Sequence, residues 1–428
     1  MNWFLALISV FILFFSLLKN NRKGTLLSPA SLFTAFISIL LFFALVFEDG
    51  AYGYVGYLWL IASIVVINLG SIVGAKMFLP HARTRTFVLD KVIIGKILLW
   101  GTFLLFIIAA YNYVTSGGMS GASQNAYDYY TSGYKESSGS FLDNVVNQVL
   151  GISSMLISFL GGVYFILETR KRRYLAFATF LYSIINMLYS TQKLGIILAF
   201  FYFVIGIIIC YLYLGKRIKM RDLWNAVKKY WIIIIAIPAL FILSFMLRFG
   251  QFNAYYLGES FNKLKTYAFG GMQCFNAWLS TWSQDTYKLG LESFMGIPHA
   301  LGLVERVAGL YEVMYKVGVG TTNIFTAFRP LIIDYGVFGS LIFLFVISFI
   351  GRMSFNTFYR FKTNASFLIL SILYLYFLYS PITSPYIYLN VSITFIFYVI
   401  CFKIFSHLFG KRKVIRRKIV RRVVVITE

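Results

Sequence analysis

Residues 174–214 read YLAFATFLYSIINMLYSTQKLGIILAFFYFVIGIIICYLYL, an apolar run of about 40 residues broken only by Thr191, Gln192 and Lys193. A helix crosses a bilayer in about 20 apolar residues. The run is long enough for two crossings, 174–190 and 194–214, joined by a tight polar turn. Reading outward from it, further crossings are expected over 2–18, 27–47, 54–75, 92–114, 145–167, 230–247, 331–350, 364–380 and 386–405. Pro381 and Pro385 lack backbone donors and suit the turn between the last two. The first segment has no basic leading region, and no small-x-small cleavage site follows it. It reads as a span rather than a cleaved signal peptide.

Composition agrees. Apolar residues make up 59% of the 428 and charged residues 13%, against about 45–50% and about 25% in soluble domains. A soluble enzyme and a disordered chain are excluded. Cys210, Cys274 and Cys401 are too few and too scattered for a disulfide framework or a zinc site. The expectation is an all-α polytopic membrane protein of about 11 spans.

Charge orients it. One set of alternate loops (19–26, 76–91, 168–173, 215–229, 351–363, 406–428), with Lys96 and Lys403, holds 30 of the 39 lysines and arginines but only four acids. The other side holds nine bases and eleven acids, so the two sides carry +26 and −2 and together give the net +24. The positive-inside rule puts the first side in the cytoplasm, the amino terminus outside and the carboxyl terminus inside. The basic run 170–173 and the tail 406–428 then face anionic lipid. No aromatic stacking platform accompanies the tail, which argues against nucleic acid as a partner.

Six parts follow: spans 1–114, an outward loop 115–144, spans 145–247, a second outward loop 248–330, spans 331–405 and the basic tail. Loops this long are usually functional or disordered. The first is rich in Gly, Ser and Tyr, with a net charge of −2. The second carries seven bases against five acids, contrary to the topological bias. Within it, 299–316 (HALGLVERVAGLYEVMYK) has apolar residues at helical spacing and is expected to form an amphipathic helix bearing Arg306. The stretch 272–283 (MQCFNAWLSTWS) suits the membrane interface. No cytoplasmic segment carries a Walker-type glycine pattern, which argues against an ATP-driven pump.

Residues 318–339 read GVGTTNIFTAFRPLIIDYGVFG. A glycine-rich turn, Asn-Ile, Arg-Pro and Asp-Tyr-Gly-x-x-Gly open an apolar span. This pattern, with the eleven-span layout and the large late outward loop, resembles the Wzy-type oligosaccharide repeat-unit polymerases of O-antigen and capsule synthesis. The 190–193 turn fits too, although Lys193 stands where such proteins often carry arginine. The resemblance implies a GT-C-like, metal-independent glycosyltransferase of the bacterial inner membrane, needing no cofactor. It would move a growing glycan from undecaprenyl pyrophosphate onto an incoming lipid-linked repeat unit. A flippase and a chain-length regulator would be its partners. Functional arginines in the two large outward loops are a family feature, and Arg248 and Arg329 are the best matches. The acidic first loop departs from versions with arginines in both.

That chemistry needs fixed donors for the leaving pyrophosphate. Arg329, Arg248 and Lys193 are the candidates, then Arg306, with the amides of 318–322 (Gly318, Gly320, Thr322) as an anion nest. A base for the acceptor hydroxyl would come from Glu305, Asp334, His299 or Glu312. Asp334 reads equally as a charge partner of a helix start, and His299 as a locally bonded loop residue. Asn323 and Tyr335 flank Arg329 and could orient sugar or phosphate, or simply cap and pack. An O-antigen ligase-like enzyme and a flippase or secondary transporter remain alternatives. Only Lys96 lies well inside a span, and no half-to-half repeat is visible, which disfavours a transporter.

Overall fold

The computed structural model describes residues 2–80, 87–115, 141–190, 193–249, 253–283, 286–305, 313–401 and 404. Long runs of Leu, Ile, Phe and Val with no charge leave the backbone to satisfy its own hydrogen bonds, and in lipid a helix does so. The helices are α1 (Asn2–Lys23), α2 (Pro29–Val46), α3 (Val55–Val73), α4 (Lys91–Thr115), α5 (Phe141–Leu167), α6 (Leu181–Ser190), α7 (Leu194–Tyr213), α8 (Met220–Phe249) and α9 (Ala254–Thr281). A short α10 (Gly296–Ala300), α11 (Phe328–Phe361), α12 (Asn364–Tyr379) and α13 (Leu389–Cys401) complete the set. Strands β1 (Tyr315–Val317) and β2 (Gly320–Thr322) form an antiparallel hairpin, with Val317 opposite Gly320.

Among the described residues, seven helices are long and apolar enough to cross a membrane: α1 to α5, α7 and α11. α8 makes an eighth if its two halves, bent by 42°, count as one span. The other expected crossings are shorter helices. Residues 174–190 divide into a 3-10 helix, Lys171–Phe180, and the ten-residue α6. α12 has 16 residues. The protein is thus an all-α polytopic membrane protein, with seven or eight full-length candidate crossings among the described residues.

Small residues let backbones approach. A Cβ on Gly162 of α5 would lie 2.0 Å from the Phe203 carbonyl of α7, and one on Gly206 would lie 2.2 Å from that of Phe159. α3 and α11 meet the same way, with Ser348 Oγ donating to the Ile67 carbonyl at 2.6 Å. Such contacts hold membrane bundles where the hydrophobic effect between helices is weak. Aromatic rings fill the buried core, as in the stacked pair Phe87–Phe367 at 4.4 Å.

Within the stretch 272–283, Met272–Leu279 is buried near the end of the 28-residue α9, while Ser280, Thr281 and Ser283 are exposed. The amphipathic helix expected over 299–316 is not continuous. α10 stops at Ala300, closed by Gly302 in the left-handed conformation (φ 72). The Gly302 amide bonds the His299 carbonyl and the Leu303 amide the Pro298 carbonyl, both at 2.9 Å. This paired closure ends helices. Periodicity alone gave no weight to that glycine. Residues 306–312, with Arg306 and Glu312, lie outside the described residues.

Candidate functional site

α9 straps one end of the bundle through six side-chain hydrogen bonds. Gln273 Nε2 donates to the Ala44 carbonyl at the end of α2 (2.8 Å), and its Oε1 accepts the Val319 amide from the hairpin turn (3.2 Å). Asn276 Oδ1 accepts the amides of Gly56 (3.0 Å) and Tyr57 (3.4 Å), capping α3, while its Nδ2 donates to the Gly53 carbonyl (2.6 Å). No side chain fits at 56, where a Cβ would lie 2.4 Å from Asn276 Cα. Thr266 Oγ1 donates to the Val319 carbonyl at 2.7 Å, fixing the hairpin on the same strap.

Two cations lean on this strap. The Arg329 guanidinium carbon sits 4.0 Å from the ring centre of Phe325 and 5.3 Å from that of Trp278. Lys193 is only 6% exposed, with Nζ 4.1 Å from the Phe245 ring centre and 5.9 Å from that of Tyr267. Cations over ring faces keep their charge while partly desolvated. Tyr267 and Trp278 are separated by roughly 16 Å of helix at 1.5 Å per residue. The cations therefore stand along one helix rather than at one point. Arg248 belongs to the last turn of α8, and its side chain lies outside the described residues.

The acids divide. Asp334 is fully buried, and its two oxygens accept the amides of Glu292 (3.1 Å) and Ser293 (2.7 Å). Leu289 N donates to the Asp334 carbonyl at 3.2 Å. This carboxylate anchors the 288–296 turn to α11. Glu305 is exposed in an irregular stretch, and the exposed His299 donates from Nδ1 to the Val304 carbonyl at 3.1 Å. The two therefore lie beyond the part of the site packed against α9.

The glycine-rich turn is the hairpin itself. Gly318 packs on the 47–49 backbone, where a Cβ would lie 2.0 Å from the Phe47 carbonyl. The Val319 amide is held by Gln273, and the Ile324 amide by Thr322 Oγ1 at 3.1 Å. Gly320 pairs with Val317 across the hairpin. These contacts fix the hairpin's place beside Phe325 and Arg329. Asn323 is half-buried beyond β2. Tyr335, also half-buried, stacks on Phe343 at 5.4 Å.

Two more groups stand at this end, Cys274, weighed from the sequence only as a disulfide or zinc residue, and Glu48, which the sequence reading passed over. Burial pushes the Cys274 thiol up to about 12, with the nearby Arg329 charge opposing it. Glu48, in the α2–α3 turn, accepts the Tyr57 hydroxyl on Oε2, while its Oε1 is buried without a hydrogen-bond partner. Burial first, and then the adjacent Asp49, raise its carboxyl above the usual carboxylate range; the Tyr57 bond opposes them. A pair of neighbouring acids, Glu48 and Asp49, in a short turn between two apolar runs was the available signal. Among the described residues, no three His, Cys, Asp or Glu stand close enough to hold a metal ion. No family model matches the chain, and no curated protein or solved structure matches it.

Proposed function

We propose that this chain polymerises lipid-linked oligosaccharide repeat units at the outer face of the bacterial cytoplasmic membrane. The observation that carries the reading is the pair of aromatic-backed cations, Arg329 and Lys193, along one strap helix at the end that the charge count assigns outside. In the reaction an acceptor hydroxyl oxygen attacks the anomeric carbon of the growing glycan. The bond from that carbon to the donor's pyrophosphate breaks, and the pyrophosphate leaves with the electron pair. Arg329 stabilises the developing charge; Lys193, further along α9, and Arg248 and Arg306 are further donors for lipid-linked diphosphate. The hydroxyl proton goes to a carboxylate or imidazole. Glu305 and His299 are open to solvent, whereas Asp334 already holds two amides.

An eleven-span path belongs to the same proposal. A ten-residue 3-10 helix followed by ten α-helical residues covers roughly 35 Å at about 2.0 and 1.5 Å per residue, enough for one crossing. With α8, α12 and α13 that makes eleven.

The test is a surface-glycan ladder from a deletion strain complemented with wild type, Arg329→Ala or Arg329→Lys, at matched membrane levels. Single-unit caps with alanine and partial recovery with lysine are expected. Wild-type polymer in both variants would remove Arg329 from the site. A deletion strain with no capped glycan at all would favour ligation or export over polymerisation. Thiol labelling of a cysteine at 329 from the cytoplasmic side alone would overturn the orientation.

A further inference from the structure

At the opposite end of the bundle, α8 begins with a segment that the bundle does not cover. Every residue from 219 to 229 is exposed. Five large apolar side chains stand among them and just beyond: Met220 (42% exposed), Leu223 (37%), Trp224 (59%), Val227 (45%) and Trp231 (55%). Spacings of three, four and seven from Met220 put the first four on one helical stripe, and Trp231 follows the break at Tyr230. An apolar stripe left in water would be costly, and among the described residues no element of the bundle takes it up.

Its surroundings say what does. Lys216, Arg217, Lys219, Arg221, Lys228 and Lys229 lie within or just ahead of the segment, against the single acid Asp222. Asp222 is turned to the chain itself, with Oδ2 accepting the Lys219 amide at 2.9 Å. Lys228 Nζ sits 5.4 Å from the Trp224 ring centre, so charge and stripe share an edge. A second element adds charge at the bend. Tyr230 meets Phe165 at 5.5 Å, and Arg173 lies over that same Phe165 ring at 5.9 Å.

Position is fixed at both ends. The Met220 amide donates to Asn21 Oδ1 at 3.0 Å, tying the start of α8 to the basic end of α1. At Tyr230 the backbone leaves helical geometry (φ −114, ψ 20), and the axis bends by 42° before the apolar half that follows. The stripe thus begins where a hydrocarbon-spanning stretch ends. Apolar side chains at that level reach the acyl boundary, and flanking lysines and arginines reach lipid phosphates.

We propose that residues 216–231 form a binding surface for anionic phospholipid on the side that the charge count assigns to the cytoplasm. Trp224 and its stripe neighbours enter the acyl boundary, and Arg221, Lys228 and Lys229 hold the headgroup phosphates. The inference is independent of the glycan reading and needs only that the chain spans a membrane.

The experiment uses the full chain in phosphatidylcholine vesicles that contain a minor fraction of brominated-chain phosphatidylglycerol or, in parallel, of brominated-chain phosphatidylcholine. The emission lost in Trp224→Phe isolates the Trp224 contribution. Brominated phosphatidylglycerol should quench that contribution at a lower mole fraction than brominated phosphatidylcholine. Arg221→Gln/Lys228→Gln/Lys229→Gln should reduce the preference roughly tenfold or more, since each basic residue at an anionic surface is worth about fivefold. Equal quenching of wild type by the two lipids overturns the proposal without any variant. No quenching by either overturns it too, as does a preference that survives the triple substitution. Quenching that disappears as protein density rises would assign the stripe to a second copy of the chain instead.

Discussion

Two long helices of this protein are broken, and the breaks are held in opposite ways. In α11 the backbone turns at Gly336 (φ 72, ψ 175), and the polar groups around the break have found partners. Asp334 holds two amides, its carbonyl takes a third, and Trp59 Nε1 donates to the Val337 carbonyl at 3.1 Å. In α8 the break at Tyr230 rests on ring contact with Phe165 and on exposed surface either side. A break among buried helices must satisfy its backbone locally. One with exposed surface on either side has its surroundings to do so. The first is a fixed joint that positions the start of α11, where Arg329 stands. The second is set by its surroundings.

Asp334→Ala should break that contrast most strongly. It removes two charge-assisted bonds and leaves buried amides, at a cost on the order of 3 kcal/mol. Thermal unfolding of the purified protein in detergent measures it, and Asp334→Asn, which keeps one acceptor, should fall between. A wild-type transition in the alanine variant would mean that the joint is not held by its carboxylate. Gly336→Ala comes next, at about 2 kcal/mol, because its φ and ψ lie in a region that only glycine occupies readily. The added Cβ would also lie 2.9 Å from the Tyr287 ring. Tyr230→Ala in α8 should cost about 1 kcal/mol, the scale of one aromatic contact. A loss matching that of Asp334→Ala would erase the distinction between the two joints.

Glu48 sharpens the comparison from another side, as an acid at the same end as Asp334 but without its amides. Its folded state holds the proton more tightly than the unfolded chain does. Stability is therefore greatest below the ordinary carboxylate value of 4.5 and falls as pH rises past it toward the raised folded value. Glu48→Gln keeps an acceptor for Tyr57 and should flatten this dependence in melts run across that window. The effect is the smallest of the four. An unchanged slope would show that Glu48 does not titrate differently on folding.

The helical, membrane-embedded character was legible because it follows from long uncharged runs, which have few other solutions in lipid. The count of crossings was less so. Periodicity does not distinguish α from 3-10 winding, and Lys171–Phe180 takes the latter. Arg329 and Lys193 stood out as cations amid apolar residues, but the rings that carry them come from α8, α9 and the 323–327 segment. Asp334 read as equally suited to catalysis or to a helix start; its actual partners lie about 40 residues earlier. The glycines at 318 and 320 signalled a special backbone, and the hairpin is one such backbone among several. Polar residues inside α9, Gln273 and Asn276, gave no periodic signal at all, since their partners are main-chain groups at the end of α2, around the start of α3 and in the hairpin turn.

That last arrangement sets an order of events during synthesis. Gly56 and Tyr57 leave the ribosome more than 200 residues before the Asn276 side chain that caps them. Until then the beginning of α3 must borrow its acceptors from solvent or from the insertion machinery. A nascent chain halted before residue 254 would carry threaded helices whose rim is still unfinished. Quality control that senses bare amides at the membrane edge would have a long interval in which to act.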